Sequence, residues 1–110
     1  MRGAVQLSAA LILLCLPCVA QYEIRSVAGT VTDKRGNALP GAAVQLESSR
    51  TLAVMSHITD KDGVYRFNLL SSDSDYSLKA KYGRNWSRQR TLSKFNSSRH
   101  PTIDLVIPID

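Results

Sequence analysis

Beyond Gln21, apolar residues recur at every second position and nowhere hold the three-and-four spacing of a helix. A period of two sends alternate side chains to opposite faces of an extended chain, so the pattern demands half-buried β-strands. Seven such runs are legible. Residues 27–32 form the first, and residues 42–47 the second, with Ala42, Val44 and Leu46 on one face. The third covers residues 52–59, with Leu52, Val54 and Ile58 on its apolar face. The fourth, 64–69, aligns Tyr65, Phe67 and Leu69, and the fifth, 76–82, aligns Tyr76, Leu78, Ala80 and Tyr82. A weaker sixth spans 86–92. The seventh, 102–109, aligns Ile103, Leu105, Ile107 and Ile109, and its Pro108 lacks the N–H a central strand needs, which predicts an edge.

Short strands at this spacing, each with one apolar face, predict an all-β fold: a seven-stranded, two-sheet antiparallel β-sandwich. The turns are written in the loops between them. Asp60-Lys61-Asp62-Gly63 is the sharpest, with Gly63 free to take the positive φ of a tight hairpin. Pro40-Gly41 is expected to fold the second strand back onto the first. Gly29, inside a strand, marks a bulge or the close approach of another backbone. Tyr65 and Phe67 are the large core anchors.

The first twenty residues follow a different rule. Arg2 is the only charge before Glu23, an apolar run covers residues 9–16, Pro17 breaks it, and Cys18-Val19-Ala20 ends in a small residue. A basic start, a short apolar core and a small-x-small end describe a secretory signal peptide cut after Ala20. The run is too short to cross a bilayer, which takes about 20 apolar residues. The expected organisation is therefore a signal peptide at 1–20 and one domain at 21–110, secreted or periplasmic and not membrane-spanning after cleavage. Both cysteines, Cys15 and Cys18, lie in the segment to be removed. The remaining chain must rely on its apolar core, and it has no thiol chemistry. At 110 residues, 44% hydrophobic and 21% charged, the chain has the balance of one globular domain.

The segments Gly29-Thr30-Val31-Thr32-Asp33, Gly36, Leu39-Pro40-Gly41-Ala42 with Val44 and Leu46, and Thr59-Asp60-Lys61-Asp62-Gly63 with Tyr65 and Phe67 follow one another in a specific order. On these residues the chain resembles the carboxypeptidase regulatory-like domain, a transthyretin-like or prealbumin-like β-sandwich. Tyr76 and Leu78 extend the likeness, although Ser74-Asp75 stands where the family carries a Pro-Gly or similar small pair. The resemblance implies an accessory domain with no zinc ligands, no catalytic base, no cofactor and no enzymatic activity. It also implies a partner in trans, an envelope protein or glycan, or self-association through an edge strand such as the first or last.

The residues agree with a non-catalytic reading. His57 and His100 are isolated, and no nucleophile elbow, metal-binding His pair or phosphate-cradling glycine loop is present. Asp60-x-Asp62-Gly63 echoes the start of a calcium loop, but positions 64–72 hold no carboxylate to complete one, so the turn reading is preferred. Charge is more informative. Between Tyr76 and Ile103 there are seven basic residues and no acidic one. Lys79, Lys81, Arg84, Arg88 and Arg90 are candidates for one positive face, with Tyr82 and Trp86 among them as sugar-stacking rings. A basic, aromatic surface on an exported protein suits an envelope glycan or lipid phosphate rather than nucleic acid, or simply keeps the domain soluble. The leading functional expectation is an exported binding module that docks an envelope protein or other envelope component. The alternative is a carbohydrate-binding domain of the same fold. Asn85-Trp86-Ser87 and Asn96-Ser97-Ser98 fit the N-glycosylation pattern.

Overall fold

The computed structural model describes residues 24–110, so the segment read as a signal peptide lies outside the described residues. Eight strands follow in chain order: β1 (Ile24–Thr32), β2 (Ala43–Ser48), β3 (Val54–Ile58), β4 (Val64–Ser71), β5 (Tyr76–Tyr82), β6 (Asn85–Trp86), β7 (Arg90–Leu92) and β8 (Leu105–Val106). One sheet has the order β4-β1-β8. The other runs β3-β2-β5-β6, with β7 also on β5. The two-sheet sandwich expected from the alternation is what forms. The eighth strand arises because the sixth run is interrupted at Ser87. Its hydroxyl accepts a bond from the Ala80 N–H, taking the place of a ladder carbonyl, while its own N–H donates to the Ala80 carbonyl.

Three connections differ from expectation. The Asp60–Gly63 turn closes no hairpin: β3 pairs with β2 and β4 with β1, so the turn carries the chain from one sheet to the other. Pro40-Gly41 does not return β2 to β1; it carries the chain across to the other sheet, where β2 pairs with β3 and β5. Thr59 pins that crossing, donating its hydroxyl to the Leu39 carbonyl at 2.7 Å and accepting from the Ala42 N–H at 2.9 Å. The sandwich is also not wholly antiparallel. β8 pairs with β1 in parallel, Val31 beside Leu105 and Thr32 beside Val106. The chain reaches it by crossing from the second sheet, so it enters in the direction of β1. The first strand is consequently central and offers no edge, whereas the last is an edge as Pro108 suggested.

The core fills from both sheets, with Val27, Val31, Val44, Leu46, Tyr65, Leu78, Leu92, Leu105 and Ile107 all but inaccessible. Gly29 is where a backbone comes close: a Cβ there would stand 1.9 Å from the Ile103 carbonyl oxygen. The Tyr65 phenol spans the same gap and donates to that oxygen at 2.5 Å. Burial pushes the Tyr65 pKa well above its usual value.

Two leucines break the predicted phase. Leu69 does not join Tyr65 and Phe67 in the core but is 80% exposed, and Leu70 is buried instead. The β1–β4 register slips here, with Arg25 opposite Leu70 but Val27 opposite Phe67, so β4 carries one extra residue. Leu69 sits in that bulge at φ 60°. Leu52 is not part of β3. It occupies the β2–β3 turn at φ 62°, its N–H bonded to the Ser48 carbonyl.

Candidate functional site

Every residue of β3 is exposed, although the sequence alternates as a half-buried strand should. Register explains why. Val44 and Leu46 are buried on the inner face of β2, and directly opposite them lie His57 and Met55. The inner face of β3 is thus Met55 and His57, the latter resting edge-on against Phe67 with ring centroids 6.1 Å apart. The apolar pair expected to be core, Val54 and Ile58, points outward and is more than half exposed. The strand is the edge of its sheet, and nothing among the described residues pairs with its far side.

The ladder also fixes which backbone groups are unpaired. Thr59 N–H bonds to the Ala42 carbonyl, and Ser48 N–H to the Ala53 carbonyl. Hydrogen-bonded positions alternate between these, so His57 and Met55 turn their backbone toward β2, and Val54, Ser56 and Ile58 turn theirs outward. Beside this edge, a cleft of about 400 Å³ is lined by Thr51, Ala53, Met55, Leu69 and Tyr76 among others. The two left-handed leucines, Leu52 and Leu69, stand at this end of the sandwich, each held at a backbone geometry that costs a non-glycine residue about 1–2 kcal/mol. The edge strand carries no charge.

The basic residues singled out in the sequence do not form a single plate. Lys79 and Lys81 lie on the outer face of β5, and Trp86 of β6 is opposite Lys81 on the same face. The Lys79 ammonium is 4.6 Å and that of Lys81 5.4 Å from the Trp86 ring centroid, within cation–π range. Trp86 is 39% exposed. Arg84 is exposed in the turn between β5 and β6. Arg90 is opposite Leu78, a core residue, so it points to the other side of the sheet and donates to the Asp104 carbonyl at 3.0 Å. Arg90 and Arg88 line a separate cleft of about 630 Å³ with Lys34 and β8. Tyr82 packs against the core cluster, which removes it from the candidate stacking rings. A period of two places Tyr82 with Ala80 and Leu78, the face opposite Lys79 and Lys81.

Asp60 behaves as a turn residue. One carboxylate oxygen accepts from both the Val64 and Asp62 N–H groups at 2.9 Å. Those bonds, the one from Val64 foremost, hold its pKa below the usual carboxylate value. Asp33 is lowered in the same way, chiefly by the Asn37 N–H. Among the described residues no group of three or more His, Cys, Asp or Glu side chains is placed to hold a metal ion, and no helix is long and apolar enough to cross a membrane.

Arg25 drew no attention in the sequence, yet it is one of the few charged groups fully inside, 3% exposed. The missed signal was phase. Arg25 shares the inward parity of Val27, Gly29 and Val31, which continues the first run two residues earlier than the apolar pattern suggests.

The fold and its sites together define a transthyretin-type β-sandwich domain with exposed edges and charged clefts. The chain belongs to the carboxypeptidase regulatory-like domain family, whose model matches residues 26–106. Solved structures agree at the level of fold. The Bacillus anthracis TIE protein superposes with a TM-score of 0.62 at 19% identity, over 77% of this chain and 17% of that one. BcpA, the major pilin subunit of Bacillus cereus, does so with 0.58 at 11%, over 77% and 30%. Chlorocatechol 1,2-dioxygenase from Pseudomonas putida gives 0.60 at 14%, over 97% and 70%. The chain thus spans well under half of the first two proteins. No curated protein matches it in sequence.

Proposed function

We propose that this chain is an exported, non-catalytic binding module that docks a protein partner by accepting an extended, uncharged segment along the outer edge of β3. The observation that carries this reading is the unpaired edge itself. Five consecutive residues are exposed, two of them large and outward-facing, with no charged side chain or proline in the strand and no covering segment among the described residues. Such an edge is a template for strand addition, in which main-chain bonds supply affinity and alternate side chains supply selectivity. The family is one of accessory domains, and a pilin of similar fold supports a role in association. The amino-terminal pattern of residues 1–20 supports export to the cell envelope.

Ser56 gives a clean test, because its N–H faces away from β2. Ser56→Pro removes an outward donor while leaving the β2 ladder whole. The mutant is expected to keep its β-sheet circular dichroism. It should lose concentration-dependent self-association in sedimentation, or lose crosslinks to a defined envelope partner. Association unchanged in Ser56→Pro, or a wild-type protein that is strictly monomeric and partnerless, overturns the reading.

A second reading rests on a different face. Lys79, Lys81 and the partly exposed Trp86 form an outer patch suited to an acidic glycan. Because Trp86 is the only tryptophan, its fluorescence should respond to an acidic polysaccharide at low salt, and the response should fade as salt rises. A neutral polysaccharide giving the same response would instead favour ring stacking alone.

A further inference from the structure

Arg25 is a cation buried without a counter-charge among the described residues. Its guanidinium donates Nη1–H to the Ser93 carbonyl at 3.1 Å and Nη2–H to the Ser98 carbonyl at 3.2 Å. Its Nε is buried with no acceptor among the described residues. No described carboxylate lies within ion-pair distance of it; the ion pair among the described residues joins Arg50 to Asp73, both exposed. Arginine does not shed its proton to escape burial, and two carbonyl dipoles do not neutralise a full charge.

Arg25 lines a cavity of about 220 Å³ together with Ser72, Lys94, Asn96, Ser97 and Arg99. Phe95 and Ser98 complete the wall, to which no acidic side chain contributes, although the Asp75 carboxylate stands just outside it and accepts from the Lys94 N–H. The 93–100 segment that forms the other wall is fastened to β1 by further bonds. Ser26 N–H donates to the Arg99 carbonyl at 2.9 Å, and the Ser26 hydroxyl meets His100 Nδ1 at 2.7 Å. Asn96 and Ser93 bond within the loop, Ser98 N–H to Asn96 Oδ1 and Asn96 N–H to the Ser93 carbonyl. The wall is therefore built.

We propose that this cavity is a binding site for a tetrahedral oxyanion, a phosphate or sulfate group, held by Arg25 and Lys94 with hydroxyl and amide donors from Ser72, Ser97 and Asn96. Two of the five guanidinium N–H donors of Arg25 are engaged by backbone carbonyls, which leaves Nε–H and a further hydrogen on each terminal nitrogen for an anion. With the Lys94 ammonium and the side chains of Ser72, Ser97 and Asn96 in the same wall, there are enough donors for four oxygens around one centre. The anion would supply the missing counter-charge, and it would tie the 93–100 segment to the first sheet.

Inorganic phosphate is the probe. Thermal melts and calorimetric titration are run with phosphate, sulfate, acetate and chloride at matched ionic strength. Phosphate and sulfate should raise the Tm saturably, and acetate and chloride should not. Arg25→Lys keeps a cation but loses the guanidinium donors, and it should weaken phosphate binding about tenfold or more. Lys94 is exposed, so Lys94→Ala should fold normally and weaken binding severalfold. It decides the matter if the Arg25 variant fails to fold. The proposal is overturned if phosphate gives no rise beyond chloride, if acetate acts as strongly as phosphate, or if Lys94→Ala binds phosphate like the wild type. Phosphate presented on anionic lipid vesicles, compared with the free ion, separates a headgroup from a soluble source. The outcome is independent of β3, which Ser56→Pro addresses separately.

Discussion

β3 and β4 are consecutive strands joined by the five residues 59–63, and both alternate apolar with polar residues. They end in opposite environments. β4 buries Tyr65, Phe67 and Leu70, while β3 buries nothing. Both are outermost strands, β4 beside β1 in one sheet and β3 beside β2 in the other. What differs is the face turned inward: β4 sets Tyr65, Phe67 and Leu70 into the core, whereas β3 turns inward only Met55 and His57 and leaves Val54 and Ile58 outside. Alternation therefore reports that a segment is a strand, and only its neighbours decide whether the apolar side finds a core.

The largest test of this contrast is truncation on each strand. Phe67→Ala should cost about 3–5 kcal/mol, as for other buried aromatics. Met55→Ala, on the inner but open face of β3, should cost under about 1 kcal/mol. Urea denaturation of both variants checks the pair. Near-equal losses would mean that β3 is covered in solution, by a second copy or another chain.

A middle-sized effect belongs to the turn between the strands. The folded state depresses the Asp60 pKa below the ordinary aspartate value of 3.8 by bonding the ionised carboxylate. The native state therefore binds this proton less readily than the unfolded one. The contribution is present above 3.8 and is lost as pH falls through the lower folded value. Asp60→Asn should lower the Tm at neutral pH, and the gap from wild type should close in melts carried into that acidic window. A gap that stays constant would assign the effect to turn geometry rather than charge.

The smallest effect separates stability from association. Leu69→Gly relieves a left-handed leucine worth about 1–2 kcal/mol of strain but adds unfolded-chain freedom worth about 0.5–1 kcal/mol. The net should be neutral to slightly stabilising in a thermal melt. If Leu69 serves the β3-side docking surface, the same variant should bind its partner less well. Destabilisation would show instead that the side chain packs in solution.

Much of the fold was legible in the residues. The period of two located all but the shortest strands, Asp60 and Gly63 marked a tight turn, although it joins two sheets rather than closing a hairpin, and Gly29 announced the approach of Ile103. The candidate sites were less so. Lys79, Lys81 and Trp86 do meet. Arg90 turned to the other side because its register partner is Leu78, and Tyr82 joined the core by the same parity. Leu69 left the core because an inserted bulge shifts the phase by one residue, and a single extra residue has no signature in a short alternating run.

What the sequence alone determined was local: extended structure, turn positions and the two alternating faces of each strand, because backbone sterics and side-chain parity act over a few residues. The tertiary structure decided which face was inner, which strand was an edge, and that Arg25 should be enclosed with no carboxylate beside it among the described residues. Those outcomes depend on residues far apart in the chain, such as Arg25 and the carbonyls of Ser93 and Ser98, whose meeting no local pattern encodes.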